Sequence, residues 1–300
     1  DRERIQLARE PRENPDSQAV AQWPPISNLT PGAGPGAPPS GTNPPFSVGT
    51  SFLAVDLSES VWIPPDTGGA VGPTQILCHE NGRLKVFAKD GTLGLLNVDA
   101  DTFFQSVRNG SSAVDPQTKF DRLSGRFITT AINFSTPNRV LIAVSSGPVI
   151  TGMSSFSFYF FVQDQVAPTG NFGEFADYDK IGVDANALTI GANMFNLGTG
   201  AYTGSNCFVV RKSSILSGGP IVATAFRGIA DAVTGAGPVY PMGVDNDDAS
   251  ATETYVAGVD GSSFGTLALR RISNPGGSPS ISGNLFVTTP TTIWPIPQVA

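Results

Sequence analysis

The chain has 300 residues, of which 14% are charged, 34 are glycine and 25 are proline, and its formal net charge is −7. Long helices are excluded at that density of glycine and proline. The 18 basic residues are spread along the chain with no cluster larger than the pairs Arg211-Lys212 and Arg270-Arg271, which argues against a phosphate-backbone binder, and no apolar run reaches the roughly 18 residues of a membrane span.

In chain order, residues 1–46 read as an extended arm. A charged start (Arg2, Glu3, Arg4, Arg9, Glu10) gives way to a Pro/Gly-rich stretch with Pro24-Pro25, Pro38-Pro39 and Pro44-Pro45. Such composition favours polyproline-like chain over a packed core. Trp23, Ile26, Leu29 and Phe46 are spaced between the prolines as anchors for a docking groove.

From residue 47 to 300 the pattern becomes short apolar runs between turn signals, in units starting near 50, 113, 175 and 238. The first unit opens on Pro64-Pro65-Asp66-Thr67-Gly68-Gly69 and carries Asp90-Gly91, a hairpin signal between two apolar runs. The second opens at Asp115-Pro116, and Phe120 to Phe127 reads as strand, turn, strand. The third opens on Tyr178-x-x-Ile181-Gly182-Val183-Asp184. The fourth opens on Tyr240-x-Met242-Gly243-Val244-Asp245, the same motif with one residue removed. Gly182 and Gly243 are 61 residues apart. Each unit holds about four strands, which is the content of a propeller blade. The expected fold is therefore all-β: a β-propeller of four-stranded antiparallel blades behind an extended arm.

Two cysteines and one histidine limit the chemistry. Cys78 and Cys207 read as buried thiols, with a disulfide as the alternative, and His79 stands outside any G-x-S-x-G context. Low charge, an acidic pI of about 4.7 and abundant Ser, Thr and Gly point to a secreted, extracellular or cell-surface protein.

The Pro64 to Pro73 run, Phe120-Asp121-Arg122-Leu123 and Tyr178 to Asp184 resemble motifs of secreted bacterial proteins with propeller-like repeats and no characterised function. The resemblance spans about residues 50 to 300 and implies architecture without catalytic residues.

Aspartate is the one reactive type in quantity. Asp177, Asp179 and Asp184 crowd one unit opening, and oxygen-rich turns of this kind suit Ca2+. The plainer reading is that they cap turns. Two functions follow. The first is a non-catalytic subunit of a surface or filamentous assembly that uses its arm to dock on other copies of itself or a related subunit. The alternative is a carbohydrate-active enzyme, a glycoside hydrolase or lyase, with Glu174, Asp179, Asp245 and Glu253 as carboxylates at the propeller mouth.

Overall fold

The computed structural model describes residues 12–13 and 49–290. The arm anchors Trp23, Ile26, Leu29 and Phe46 lie outside the described residues. Within the arm, β1 (Arg12–Glu13) is described, and it pairs in parallel with β2 (Trp62–Ile63) of its own chain.

The fold is all-β, built from four antiparallel sheets that follow one another along the chain. The first comprises β3 (Gly68–Val71), β4 (Gln75–Glu80), β5 (Arg83–Ala88) and β6 (Leu93–Asp99). The second comprises β7 (Ala113–Asp121), β8 (Arg126–Asn133), β9 (Arg139–Ser145) and β10 (Phe156–Val162). The third comprises β11 (Glu174–Val183), β12 (Ala187–Asn196), β13 (Tyr202–Arg211) and β14 (Ala223–Ala230). The fourth comprises β15 (Pro238–Gly243), β16 (Glu253–Asp260) and β17 (Thr266–Ser273), whose outer edge pairs with both β18 (Ser280–Ile281) and β19 (Leu285–Thr288). Apart from β19, strand neighbours within each of these sheets are neighbours in sequence, joined by turns such as the one holding Gly91 at φ 89°. Among the described residues helix is confined to short pieces, such as α1 (Leu57–Ser60), α2 (Ala100–Phe103) and α3 (Lys212–Leu216). α1 starts on a capping box in which Asp56 and Glu59 satisfy each other's backbone amides.

The two-residue period of a strand explains how one sheet serves two cores. In the second sheet, Phe127, Ala131, Leu141 and Ala143 pack with Leu77, Leu84 and Val86 of the first and with Phe103 and Phe104 at the end of α2. The alternate residues Ile128, Ile132, Val140, Ile142 and Val144 pack with Phe175, Ile181, Leu188, Ile190 and Phe208 of the third. A smaller cluster of Cys207, Val209, Val256 and Ile272 joins the third sheet to the fourth. Each fully buried aliphatic or aromatic side chain contributes roughly 1.5–3 kcal/mol.

The first strands of successive sheets lie side by side: β3 touches β7, β7 touches β11, and β11 touches β15. Backbone approaches backbone closely at the two glycines that mark the repeated motif. A Cβ on Gly182 would stand 2.1 Å from the carbonyl carbon of Gly243, and one on Gly243 would stand 2.2 Å from the Thr189 carbonyl oxygen. The motif repeats because backbone must pass backbone there. Gly243→Ala is expected to cost about 3 kcal/mol in urea unfolding, since backbone atoms cannot yield as side chains do; an unchanged midpoint would show the sheets are not so closely seated.

Candidate functional site

The site is built by one local device used four times. In β7, Asp115 and Pro116 face a single residue of β8 between the pairs Val114↔Ile132 and Gln117↔Thr130. In β11, Tyr178 and Asp179 do the same between Asp177↔Asn193 and Lys180↔Gly191. In β15, Tyr240 and Pro241 do so between Val239↔Val259 and Met242↔Ala257. Ahead of β3, Asp66 and Thr67 occupy the matching place, between the Asn81 amide that donates to the Pro65 carbonyl and the pair Gly68↔His79. Each is a β-bulge whose first residue is left-handed: φ is 44° at Asp66, 55° at Asp115, 51° at Tyr178 and 52° at Tyr240. Glycine is the usual occupant of that conformation. Bulky residues held there are strained, and such strain collects at functional positions.

Asparagines from the preceding sheet hold the bulges in place. The Asp115 amide donates to Asn81 Oδ1 at 2.8 Å, and the Tyr240 amide donates to Asn193 Oδ1 at 3.2 Å. Beside the third bulge, the Ala176 amide donates to Asn138 Oδ1 at 2.9 Å.

The bulges gather charge. Burial raises the pKa of the Tyr178 hydroxyl, and the carboxyls of Asp66, Asp115, Asp179 and Asp177 add to the rise. Those carboxyls come from the first three sheets, and the fourth supplies the Tyr240 ring. Lys180 Nζ stands 4.7 Å from the Tyr178 ring centre and 4.4 Å from that of Tyr240. Burial lowers the Lys180 amine to about 8 against the pull of Asp177. Asp66, Tyr178, Lys180 and Tyr240 are partly exposed, so this is the solvent-facing side of the group; Asp115, Asp177 and Asp179 are buried behind it.

Asp179 occupies the bulge position that holds Pro116 and Pro241 in the second and fourth sheets. It is fully buried, and neither carboxyl oxygen has a hydrogen-bond partner. Burial holds its pKa well above the usual carboxylate range. The nearby Thr130 hydroxyl opposes the shift without reaching hydrogen-bond geometry, and the Asp115 charge reinforces it. A carboxyl in a slot shaped for proline is therefore biased toward its neutral form. The linkage has a definite sign. The folded pKa exceeds the unfolded value of 3.8, so the group's favourable contribution is present below that value and is lost as pH rises through the folded pKa. Asp179→Asn, nearly isosteric, should raise unfolding stability near pH 7 and add nothing near pH 3. A loss of stability near pH 7 would contradict the buried, partnerless placement.

The carboxylates singled out from the sequence do not converge. Asp179 lies in the group just described. Asp245 is at the opposite ends of the first strands, accepting from Lys119 at 2.8 Å and from the Val183 amide at 3.0 Å. There it lines a cavity of about 390 Å³ with Val71, Phe120, Arg122 and Asp247. Glu174, at the start of β11, accepts from Asn171 Nδ2 at 2.6 Å and Thr203 Oγ1 at 2.9 Å. Glu253, on β16, accepts from Ser273 Oγ at 3.1 Å. Of the calcium candidates, Asp177 and Asp179 are neighbours, whereas Asp184 follows the far end of β11 and accepts from the Asn186 and Ala187 amides at 2.6 and 2.9 Å. Among the described residues no three His, Cys, Asp or Glu side chains are arranged to hold a metal ion. Cys78 and Cys207 are unbonded thiols on different sheets. His79 is buried, hydrogen-bonded to Thr129 Oγ1 at 2.7 Å, and pushed down to about 3 by burial, which leaves a neutral packing residue. No described helix is long and apolar enough to cross a membrane.

No protein-family model matches the sequence, and no curated protein matches it. Solved structures do. An exo-β-1,3-galactanase from Clostridium thermocellum is similar at 11% identity and a TM-score of 0.40, over 75% of this chain and 49% of that one. A GH43_1 enzyme from Xanthomonas citri, solved with xylose, is similar at 12% identity and a TM-score of 0.36, over 74% and 73%. An ACO/RPE65 chimera is similar at 10% identity and a TM-score of 0.36, over 72% and 47%. The chain thus spans about half the length of the galactanase and of the chimera. At this level of likeness no residue and no substrate passes from them to this chain.

Two expectations are corrected. The expected resemblance to an uncharacterised family of secreted repeat proteins is not kept: no family model matches, and the similar solved structures include glycoside hydrolases. The reading as a non-catalytic filament subunit is not kept either: it docks the arm on another copy, whereas the described part of the arm pairs with its own chain.

Proposed function

We propose that the four sheets are blades of a β-propeller and that the chain is a glycoside hydrolase whose reacting carboxyls are Asp66 and Asp115, presented at the axis by the first two bulges. The observation that carries this reading is the set of four left-handed bulges, which brings Asp66, Asp115, Tyr178 and Tyr240 to equivalent places on adjoining strands. Cleaving a glycosidic bond takes one carboxyl that carries a proton and another that is charged. The carboxyls of Asp66, Asp115, Asp177 and Asp179 all lie in electrostatic reach of Tyr178, which gathers acid and base candidates in one place. Asp179, its pKa raised by burial, lies behind the working pair, and Asp177 completes the buried side. The partly exposed Asp66 meets solvent, where a water or a sugar oxygen can reach it. One carboxyl protonates the leaving oxygen while the other takes a proton from the attacking water.

The test is a reducing-end assay on a panel of neutral pentose and hexose oligosaccharides. One linkage class should be cut, with a bell-shaped pH profile from the acid and base roles of the two carboxyls. Absence of cleavage across the panel, with the protein folded, would overturn the reading.

A further inference from the structure

Lys180 has a chemistry that the four carboxyls do not use. Its ammonium carries three donors. Among the described residues it makes no hydrogen bond or ion pair, and its recorded contacts are the faces of Tyr178 and Tyr240. It is partly exposed, on the side where Asp66 and both tyrosines face solvent. The titratable groups around it are Asp177, Tyr178 and Asp179 on its own strand, Asp115 on β7, Asp66 ahead of β3 and Tyr240 on β15. At the matching place the second and fourth sheets carry Gln117 and Met242, so the amine is a feature of one sheet and not of the repeat.

We infer that Lys180 is a substrate-binding residue, held by the two tyrosine rings so that its N–H donors meet the hydroxyl oxygens of the sugar unit entering the ring of bulges. The inference rests on the hydrolase reading for the identity of the ligand and on geometry for the role. Stacking over two aromatic faces fixes the direction of the amine at little cost in solvation. Donors that no protein group uses are then left for a ligand. A merely structural lysine would show no ligand-linked pH behaviour, whereas this one binds well only while protonated. The amine titrates near 8, so affinity should fall as pH rises past that value.

The experiment measures KM, kcat and calorimetric affinity on the oligosaccharide that the panel identifies, for wild type, Lys180→Met and Lys180→Arg, with thermal melts as a folding control. Should nothing be cleaved, the same oligosaccharides serve as calorimetric probes. Lys180→Met should raise KM about 10- to 100-fold, the range of a hydrogen bond from a charged donor, with kcat changed far less. Lys180→Arg, charged at every accessible pH, should keep part of the affinity and lose its decline above about pH 8. An unchanged KM in folded Lys180→Met, or an alkaline decline that persists in Lys180→Arg, overturns the inference and leaves the hydrolase reading standing. Binding that depends on Lys180 without cleavage overturns the hydrolase reading and leaves Lys180 standing. Neither binding nor cleavage overturns both.

Discussion

Replacing Asp121 by alanine should cost about 3–5 kcal/mol of unfolding free energy. Asp121 ends β7 and pairs with Lys212 Nζ of α3 at 2.7 Å, with both side chains almost wholly buried. The pair ties the second sheet to the third. The carboxyl also accepts from the Leu123 amide at 3.1 Å and from the Ser124 hydroxyl, and the ammonium donates to the Asp184 carbonyl at 2.6 Å. Removing one partner leaves a charge without its counter-ion in a dry interface. Removing both, as in Asp121→Leu with Lys212→Met, should recover most of the loss, because the desolvation cost of the two ions disappears with their attraction. Urea unfolding of the two single variants and the double variant measures the coupling. Singles that cost less than about 1 kcal/mol would match an exposed pair, not this buried one.

Activity should show larger effects than stability. Asp66→Asn and Asp115→Asn each remove a proton-transferring carboxyl while keeping its shape, and each should lower kcat by about 10²–10⁴-fold. Asp179→Asn works through its neighbours. It should shift the pH profile while it stabilises the fold near neutral pH, a trade of stability against function common where a site holds strain.

Much of the architecture is legible in the residues. Asp90-Gly91 announces the β5–β6 turn, and Phe120 to Phe127 announces the β7–β8 hairpin. The 61-residue spacing of Gly182 and Gly243 marks two equivalent strands, and the structure shows why glycine stands at both: each leaves room for the other's backbone. The site is less legible. Asp66 reads as part of a Pro-Pro turn, and Asp115, Tyr178 and Tyr240 read as markers of a repeat. What sequence does not display is the bulge, because one extra residue shifts every later side chain to the other face. A signal was present in Asp115-Pro116 and Tyr240-Pro241. Proline donates no hydrogen bond to a ladder, so inside a strand it points to a bulge. Asp179 in the same place, without a proline's shape, is the departure that marks the third sheet. Glu174, Asp245 and Glu253 lie near unit openings in sequence. They stand apart from the bulges: Glu174 starts β11, Asp245 follows β15 and Glu253 starts β16, and each is held by donors there.

The most direct test of the account is the activity of Asp115→Asn against wild type on the oligosaccharide that wild type cleaves, with melting temperatures measured alongside. The account predicts a folded variant with kcat at least about 10²-fold lower. A folded Asp115→Asn protein with wild-type kcat would contradict it, because the bulges would then present these carboxyls to no reaction.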